Sequence, residues 1–342
     1  MAYSSIIKPQ DYFNTKLYTG NGSTNAQTGI GFQPDMTWIK SRSNNTDHVI
    51  TDAVRGVTKE IRPNKTDYED TASNGLTTFG TDGFTVGDWT VVNLNSETYA
   101  SWNWKANGAG SSNSDGSVTS TVSANTTSGF SIVKFDPTGA ACTIGHGLGV
   151  APKVIIAKAL NRAFSWVWGG DAIGWTKYLE LNETQAEATS TARWNDTAPT
   201  STVFSVKNEY NSGDNVIAYC FAEKNGFSKF GSYTGNGNAD GPFIYTGFKP
   251  AWIMIKSATT VQSWMLFDNK RLGFNPDNDY LLANSTAVEP ADEEVLDIVS
   301  NGFKPRVTAG TLNTSGQTYI YMAFAENPFV ANVDGGLPTT AR

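Results

Sequence analysis

The chain has 342 residues, 17% of them charged, and a formal net charge of −7. A surface of that sign repels phosphate backbones and anionic headgroups, which argues against nucleic-acid partners and membrane attachment. Few charges with abundant Gly, Asn, Ser and Thr make a composition of strands and turns, not of helical bundles. No run approaches the ~20 apolar residues of a membrane span. The opening MAYSSIIKPQDYF has no apolar stretch of signal-peptide length.

In chain order, residues 1–12 read as a short arm. Residues 13–107 then carry a pattern that recurs twice. It begins with YTGNG at 18–22, reaches Pro34 through Gly-Phe-x-Pro, places Lys40 six residues later, and closes on the aromatic run YASWNWKA at 99–106. Residues 108–128 read by composition as a Gly/Ser/Thr/Asn-rich linker, in which Ser117–Ser123 alternates weakly. A drifted copy follows at 129–226, with Phe135, Pro152, Lys158 and the closing run VIAYCFAE at 216–223. A third copy at 227–329 repeats YTGNG at 233–237, then Pro250, Lys256 and YIYMAFAE at 319–326. Residues 330–342 read as a small, polar tail.

The second copy passes into the third without a spacer, so those two are expected to pack rigidly and the first to ride on a looser hinge. Short apolar runs bounded by Gly, Pro, Asn and Asp read as strands. Each of the three prolines precedes one, where a missing N–H costs least. The YTGNG glycines are expected to supply positive φ. Two stretches, Glu183–Arg193 and Pro290–Val299, read as short helices. The expected fold is all-β: three tandem β-sandwich modules of about 100 residues, lectin-like in architecture, from an internal triplication.

Three copies act as an internal control, because a position that keeps its character in all three is a requirement of the fold. Residues two apart on a strand share a face. One face of the closing strand reads Ala100, Trp102, Trp104, then Ile217, Tyr219, Phe221, then Ile320, Met322, Phe324, and is assigned to the core. Trp38 aligns with Ile156 and Met254, and Trp175 with Val57 and Phe274; both sets are assigned to the core as well. Asp52, Asp171 and Asp268 fall at equivalent places, two of them three residues before Arg55 and Arg271, and read as turn-fixing carboxylates. Residues peculiar to one copy are better functional candidates. Trp89, Trp194 and Tyr210 stand in polar stretches and are named as contacts for a sugar ring or a partner protein.

Catalytic chemistry is not legible. His48 and His146 lie in different copies without a second ligand at metal spacing. GHGLG at 145–149 leads into a strand, so the helix N-terminus of a phosphate loop is missing. No nucleophile elbow occurs. Cys142 and Cys220 read as free thiols. No enzyme activity, cofactor or metal is expected.

The ordered motifs FNTKLYTGNGSTNAQTGIGFQPDMTWIKSR, DGSVTSTVSANTTSGFSIV, GHGLGVAPKVIIAK, RWNDTAPTSTVFSV, YCFAEKNGFSKFGSYTGNGNADGPFIYTGFKPAWIMIK and MAFAENPF are spread from residue 13 to residue 329. They resemble a domain family of tailed phages of marine bacteria, cyanophages and pelagiphages among them, whose members are virion structural and tail-fibre proteins. The resemblance implies a virion protein made in the host cytoplasm and exposed on the particle, of tail-fibre, receptor-binding or tip type. Capsid decoration or tail assembly without receptor binding is the alternative, and a surface-polysaccharide depolymerase the third reading. The implied partners are other virion proteins, further copies of the chain in a homo-oligomer, and a host-surface glycan or protein.

Overall fold

The structure is a computed structural model that describes residues 4, 6–271, 275–291, 293–308 and 310–328. The expected tail at 330–342 and Phe274 lie outside the described residues. Among these residues the regular secondary structure is nearly all strand, and the only α-helices are single turns. The strands fall into three stretches. The first holds β1 (Phe13–Thr19), β2 (Asn25–Thr28), β3 (Met36–Ser41), β4 (Val49–Asp52), β5 (Lys59–Glu60), β6 (Asp70–Thr71), β7 (Leu76–Gly80), β8 (Gly83–Val86), α1 (Thr90–Asn93) and β9 (Thr98–Trp104). The second holds β10 (Ser111–Asn113), β11 (Ser120–Asn125), β12 (Phe130–Phe135), β13 (Cys142–Gly145), β14 (Val154–Ala159), β15 (Val167–Gly170), β16 (Lys177–Glu180), β17 (Ala188–Thr189), β18 (Val203–Val206) and β19 (Val216–Phe221). The third holds β20 (Ser228–Thr234), β21 (Ile244–Tyr245), β22 (Phe248–Ser257), β23 (Met265–Asp268), β24 (Leu281–Leu282), β25 (Leu296–Val299), β26 (Gly302–Pro305), α2 (Gly310–Asn313) and β27 (Thr318–Pro328).

Each stretch builds a larger and a smaller antiparallel sheet. The larger ones share an order: β1-β9-β3-β4, then β12-β19-β14-β15 within an eight-stranded sheet, then β20-β27-β22-β23. The smaller ones are β2-β8-β7, β13-β18 and β21-β26-β25. Pro34 and Pro152 precede β3 and β14, whereas Pro250 lies within β22, at an irregularity in its pairing with β27. The two YTGNG turns are fixed in the same way. Gly22 and Gly237 have φ of 63° and 67°, as expected. Gly20 and Gly235 serve a different need, since a Cβ there would stand 2.1 Å from Leu94 O and 2.3 Å from Thr314 O. The carboxamide of Asn93 accepts from Asn21 N–H at 3.0 Å and donates to Gly87 O at 2.6 Å. Asn313 accepts from Asn236 N–H at 2.8 Å and donates to Val307 O at 2.7 Å.

The central strands are buried on both faces. β3, β14, β19 and β22 are buried along their whole length. One face of each larger sheet covers its own smaller sheet. Ile39 and Tyr99 meet Phe84 and Val86, Ala218 and Cys220 meet Phe204 and Val206, and Ile253 and Ala323 meet Ile298 and Phe303. The other face points to a centre shared by all three stretches, where Trp38, Trp102, Trp104, Trp166, Trp168, Tyr219, Phe221, Trp252, Trp264, Met322 and Phe324 form one cluster. Trp104 meets the Trp252 ring edge-on at 5.6 Å, and Phe221 meets Phe324 at 5.9 Å. The apolar space left at this centre is about 20 Å³, the room of a single water, so it is packed core and not a ligand pocket.

The three stretches close head to tail. Glu69 N–H donates to Leu160 O at 2.7 Å, Glu187 N–H to Ala258 O at 2.7 Å, and Glu289 N–H to Arg42 O at 2.8 Å. The acceptors stand two residues after Lys158, Lys256 and Lys40, so the same bond joins first to second, second to third and third to first. A second set runs the other way: Trp166 Nε1 to Arg62 O at 2.9 Å, Trp264 Nε1 to Glu180 O at 3.0 Å, and His48 Nε2 to Leu282 O at 3.0 Å.

Several expectations are corrected by this arrangement. The stretch 108–128 is not a spacer: β11 pairs with β12 over six residues, and β10 pairs with β11. The first stretch is not on a loose hinge, because its tryptophans share the common centre and Asp35 accepts from Ala106 and Gly108 N–H. The arm is tied down: Ile6 enters the central cluster and Gln10 donates to Glu326 O at 2.5 Å. Neither expected helix forms; 188–189 and 296–299 are strands instead. Val57 is exposed, not core. Trp104→Ala opens a hole where three sheets meet and should cost about 3–5 kcal/mol. Urea unfolding checks this, with loss of all three stretches in one transition as the expected course.

Candidate functional site

Two of the polar positions that recur between stretches belong to the joints. Asp52 Oδ1 accepts from Val54 and Arg55 N–H, and its Oδ2 takes the Arg55 guanidinium at 2.5 Å. Asp268 repeats this with Lys270, Arg271 and a 2.6 Å guanidinium contact. Each carboxylate also takes a donor from the next stretch: Tyr219 OH reaches Asp52 at 2.7 Å and Trp102 Nε1 reaches Asp268 at 2.9 Å. Burial alone would raise the Asp268 carboxyl, but Arg271 and the bonds to it hold it below the ordinary carboxylate value. Burial and the neighbouring Asp52 push Tyr219 well above the usual phenol value.

The third joint differs. The residue equivalent to Trp102 and Tyr219 is Met322, which has no donor, and residue 174, equivalent to Arg55 and Arg271, is a glycine. Asp171 is half-exposed and turns to Lys153 at 2.5 Å and Trp175 Nε1 at 2.7 Å. Donor, carboxylate and arginine are therefore present together at two joints and dismissed together at the third.

The lysines after the prolines are structural too. Lys40, Lys158 and Lys256 are buried, and each Nζ donates to the next residue's carbonyl at 2.5, 2.6 and 2.7 Å. Burial lowers all three to about 8. His48 accepts from Trp38 Nε1 on Nδ1 at 2.9 Å, so its proton sits on Nε2, facing Leu282 O. Burial and Lys40 push His48 well below the ordinary imidazole value, and burial lowers His146. Among the described residues no group of three His, Cys, Asp or Glu side chains is placed to hold a metal ion. Cys142 and Cys220 are free and buried, and burial pushes the Cys220 thiol up.

Of the aromatic candidates, Trp194 and Tyr210 are corrected: each is only 1% exposed and packed in the second stretch's own core. Trp194 meets Trp175 edge-on at 5.5 Å, and Gly169 makes room for its indole, which would lie 2.4 Å from a Cβ there. Polar neighbours in sequence made a core residue look like a loop anchor. Trp89 is half-buried, with the Arg62 guanidinium over its ring at 5.9 Å.

The exposed aromatics among the described residues are Tyr68, alone in the first stretch, and a pair in the third. Phe243 and Tyr245 flank the buried Ile244 of edge strand β21 and are 51% and 57% exposed. Residues two apart share a face, so both rings stand on the outer side of the β21-β26-β25 sheet. A Cβ on Gly302 would come 3.1 Å from the Phe243 ring, so that ring rests on the bare backbone of β26. Around them are Lys304, paired with Asp240, and Arg306, 3.4 Å from Asp297. By strand register Ile244 corresponds to Gln27 and Ile144, because all three face the same position on the next strand. The flanking positions are then Ala26 and Thr28 in the first stretch and Thr143 and Gly145 in the second. The aromatic pair is thus peculiar to the third stretch. Its signal in the sequence was the alternation Phe-Ile-Tyr after YTGNG, which needs the strand register to be aligned.

Two outcomes follow. Asp268→Asn removes one of the two carboxylates on the buried Arg271, whose other partner is Glu289 at 2.6 Å, and should cost about 1.5–3 kcal/mol. Asp171→Asn should change stability by less than about 1 kcal/mol, both measured by urea unfolding. Second, both histidines are neutral when folded, while the unfolded chain protonates near about pH 6.5. The unfolded state binds more protons below that value, so stability falls as pH drops from about 6.5 towards the folded values. The limit is about 1.4 kcal/mol per pH unit for each histidine. Urea midpoints between about pH 7 and pH 5 should show the loss, with His48→Gln removing part of it; an unchanged slope in that variant would contradict the assignment.

No curated protein and no solved structure matches the chain. A family model described as Domain of unknown function (DUF7483) matches residues 8–328 as one unit, in keeping with a core shared by all three stretches. The chain belongs to that family.

Proposed function

We propose that the chain is three copies of one β-sandwich module, closed into a three-lobed knob on the surface of a tailed-phage particle, and that it contacts a host-surface glycan or protein through Phe243 and Tyr245. The resemblance of its motifs to phage virion proteins supports the setting. The matching strand orders and the three-way repeat of the Glu and ring N–H bonds support the triplication. The observation that carries the contact is the outward pair Phe243 and Tyr245, present in one module where the others have small residues. Exposed rings flanked by ionic groups suit both sugar stacking and a protein hot spot. In this reading one chain supplies the three-lobed geometry that fibres obtain from three chains, with no catalytic step.

A structural part of the particle without receptor contact is the second reading. It is favoured by the joints, where the shifted Asp268, Tyr219 and His48 are all engaged inside the fold. Binding of labelled protein to host cells separates the two. Phe243→Ala with Tyr245→Ala should weaken adsorption by at least about tenfold, some 1.4 kcal/mol, with an unchanged melting temperature. Wild-type protein that neither binds host cells nor competes with phage adsorption would leave only the structural reading.

A further inference from the structure

The second stretch carries a feature that the other two lack. Strands β10 and β11 extend its larger sheet beyond β12, whereas the equivalent strands β1 and β20 are sheet edges. The extension comes from residues 108–128, whose inward side chains Ser120 and Val122 are buried. Its other side forms a concavity of about 250 Å³ with β12 and the start of β19. Ser112, Thr119, Thr121, Lys134, Asp136 and Asn215 line it. The register places Ser112 opposite Thr121 and Thr121 opposite Lys134, so hydroxyl, hydroxyl and ammonium form one row across three strands. Thr119 and Asp136 lie two residues from Thr121 and Lys134, just beyond the adjacent ends of β11 and β12, and line the same hollow.

None of these six side chains hydrogen-bonds to another protein group, and Lys134 and Asp136 make no ion pair although both face the same hollow. A solvated sheet face also carries hydroxyls. This one differs in being concave, in converging donors with acceptors, and in holding an unpaired cation and anion side by side. The balance of charge decides the ligand class. A phosphate or sulfate attracted by Lys134 would meet Asp136, and a cation drawn to Asp136 would meet Lys134. A neutral ring bearing hydroxyls satisfies both, donating to the carboxylate and accepting from the ammonium, while Ser, Thr and Asn groups serve either role. The volume lies just below the ~300–1,000 Å³ of larger ligand sites, which limits the occupant to one ring.

We infer that this concavity binds a single neutral, hydroxyl-rich ring: a free monosaccharide or one unit of a polysaccharide. The assignment does not depend on the virion setting or on Phe243 and Tyr245. Saturation-transfer NMR on the full chain with glucose, galactose and N-acetylglucosamine, and with inorganic phosphate as competitor, tests it. Transfer to at least one sugar is expected, weakened about tenfold in Lys134→Ala and in Thr121→Val, whose melting temperatures should match the parent. The double variant Phe243→Ala, Tyr245→Ala should keep the signal, which separates this site from the aromatic pair. No transfer to any sugar, transfer that survives both pocket variants, or displacement by phosphate would each overturn the inference.

Discussion

The rows of large side chains on β9, β19 and β27 need cover that no single stretch of this chain can give. Trp102 and Trp104, Tyr219 and Phe221, Met322 and Phe324 all point away from their own smaller sheets. Burying a large aromatic or aliphatic side chain is worth about 1.5–3 kcal/mol. Left facing water, each row would also be a contiguous apolar patch prone to association. The three larger sheets resolve this by turning those rows to one another. Everything else in the chain follows from making that junction close.

Closure needs directional contacts, because apolar packing alone does not set which sheet meets which. The backbone bonds from Glu69, Glu187 and Glu289 and the ring N–H bonds from Trp166, Trp264 and His48 provide them. Both sets are cyclic, so each joint is a version of the other two. His48 is informative here. It replaces a tryptophan, yet it still donates a ring N–H to a neighbouring carbonyl, and its second nitrogen gives Trp38 an acceptor. The Asp–Arg set shows the reverse freedom. A buried carboxylate survives only where a guanidinium and a second donor accompany it, and at the Met322 joint all three are missing from the interior.

Much of this was legible from residue periodicity, and the failures share a cause. The repeat spacing assigned the centre-facing rows to the core, where the three larger sheets bury them. What it left unassigned was the other face of the closing strands. Ser101 and Asn103, Ala218 and Cys220, and Ala323 are small or polar, so the alternation imitated a half-exposed strand. Those residues are buried because the smaller sheet lies over them. The same short-range view turned 108–128 into a linker, since Ser and Thr pair well in strands yet count as loop residues by composition. It also made anchors of Trp194 and Tyr210, whose polar neighbours said nothing about Gly169 and Phe135 across the sheet.

The geometry that hides the interior also divides the surface. Residues at the joints are constrained three times over, because each has counterparts that must fit the same cyclic contacts. Residues on the outer faces escape that constraint, and there the three stretches differ. Strand β13 has its open edge covered by the chain itself, through a bridge from Val118 to Ile144 and the bond from Val118 N–H to Thr143 O. Strand β21 has no such cover among the described residues and carries two exposed rings instead. The hairpin that covers β13 also builds the polar concavity beside Lys134. One hairpin of the second stretch therefore covers an edge and borders a hollow, while the third stretch has an open edge with aromatic side chains. Differences on the outer faces give the three stretches distinct surfaces without disturbing the packing at the centre that holds them together.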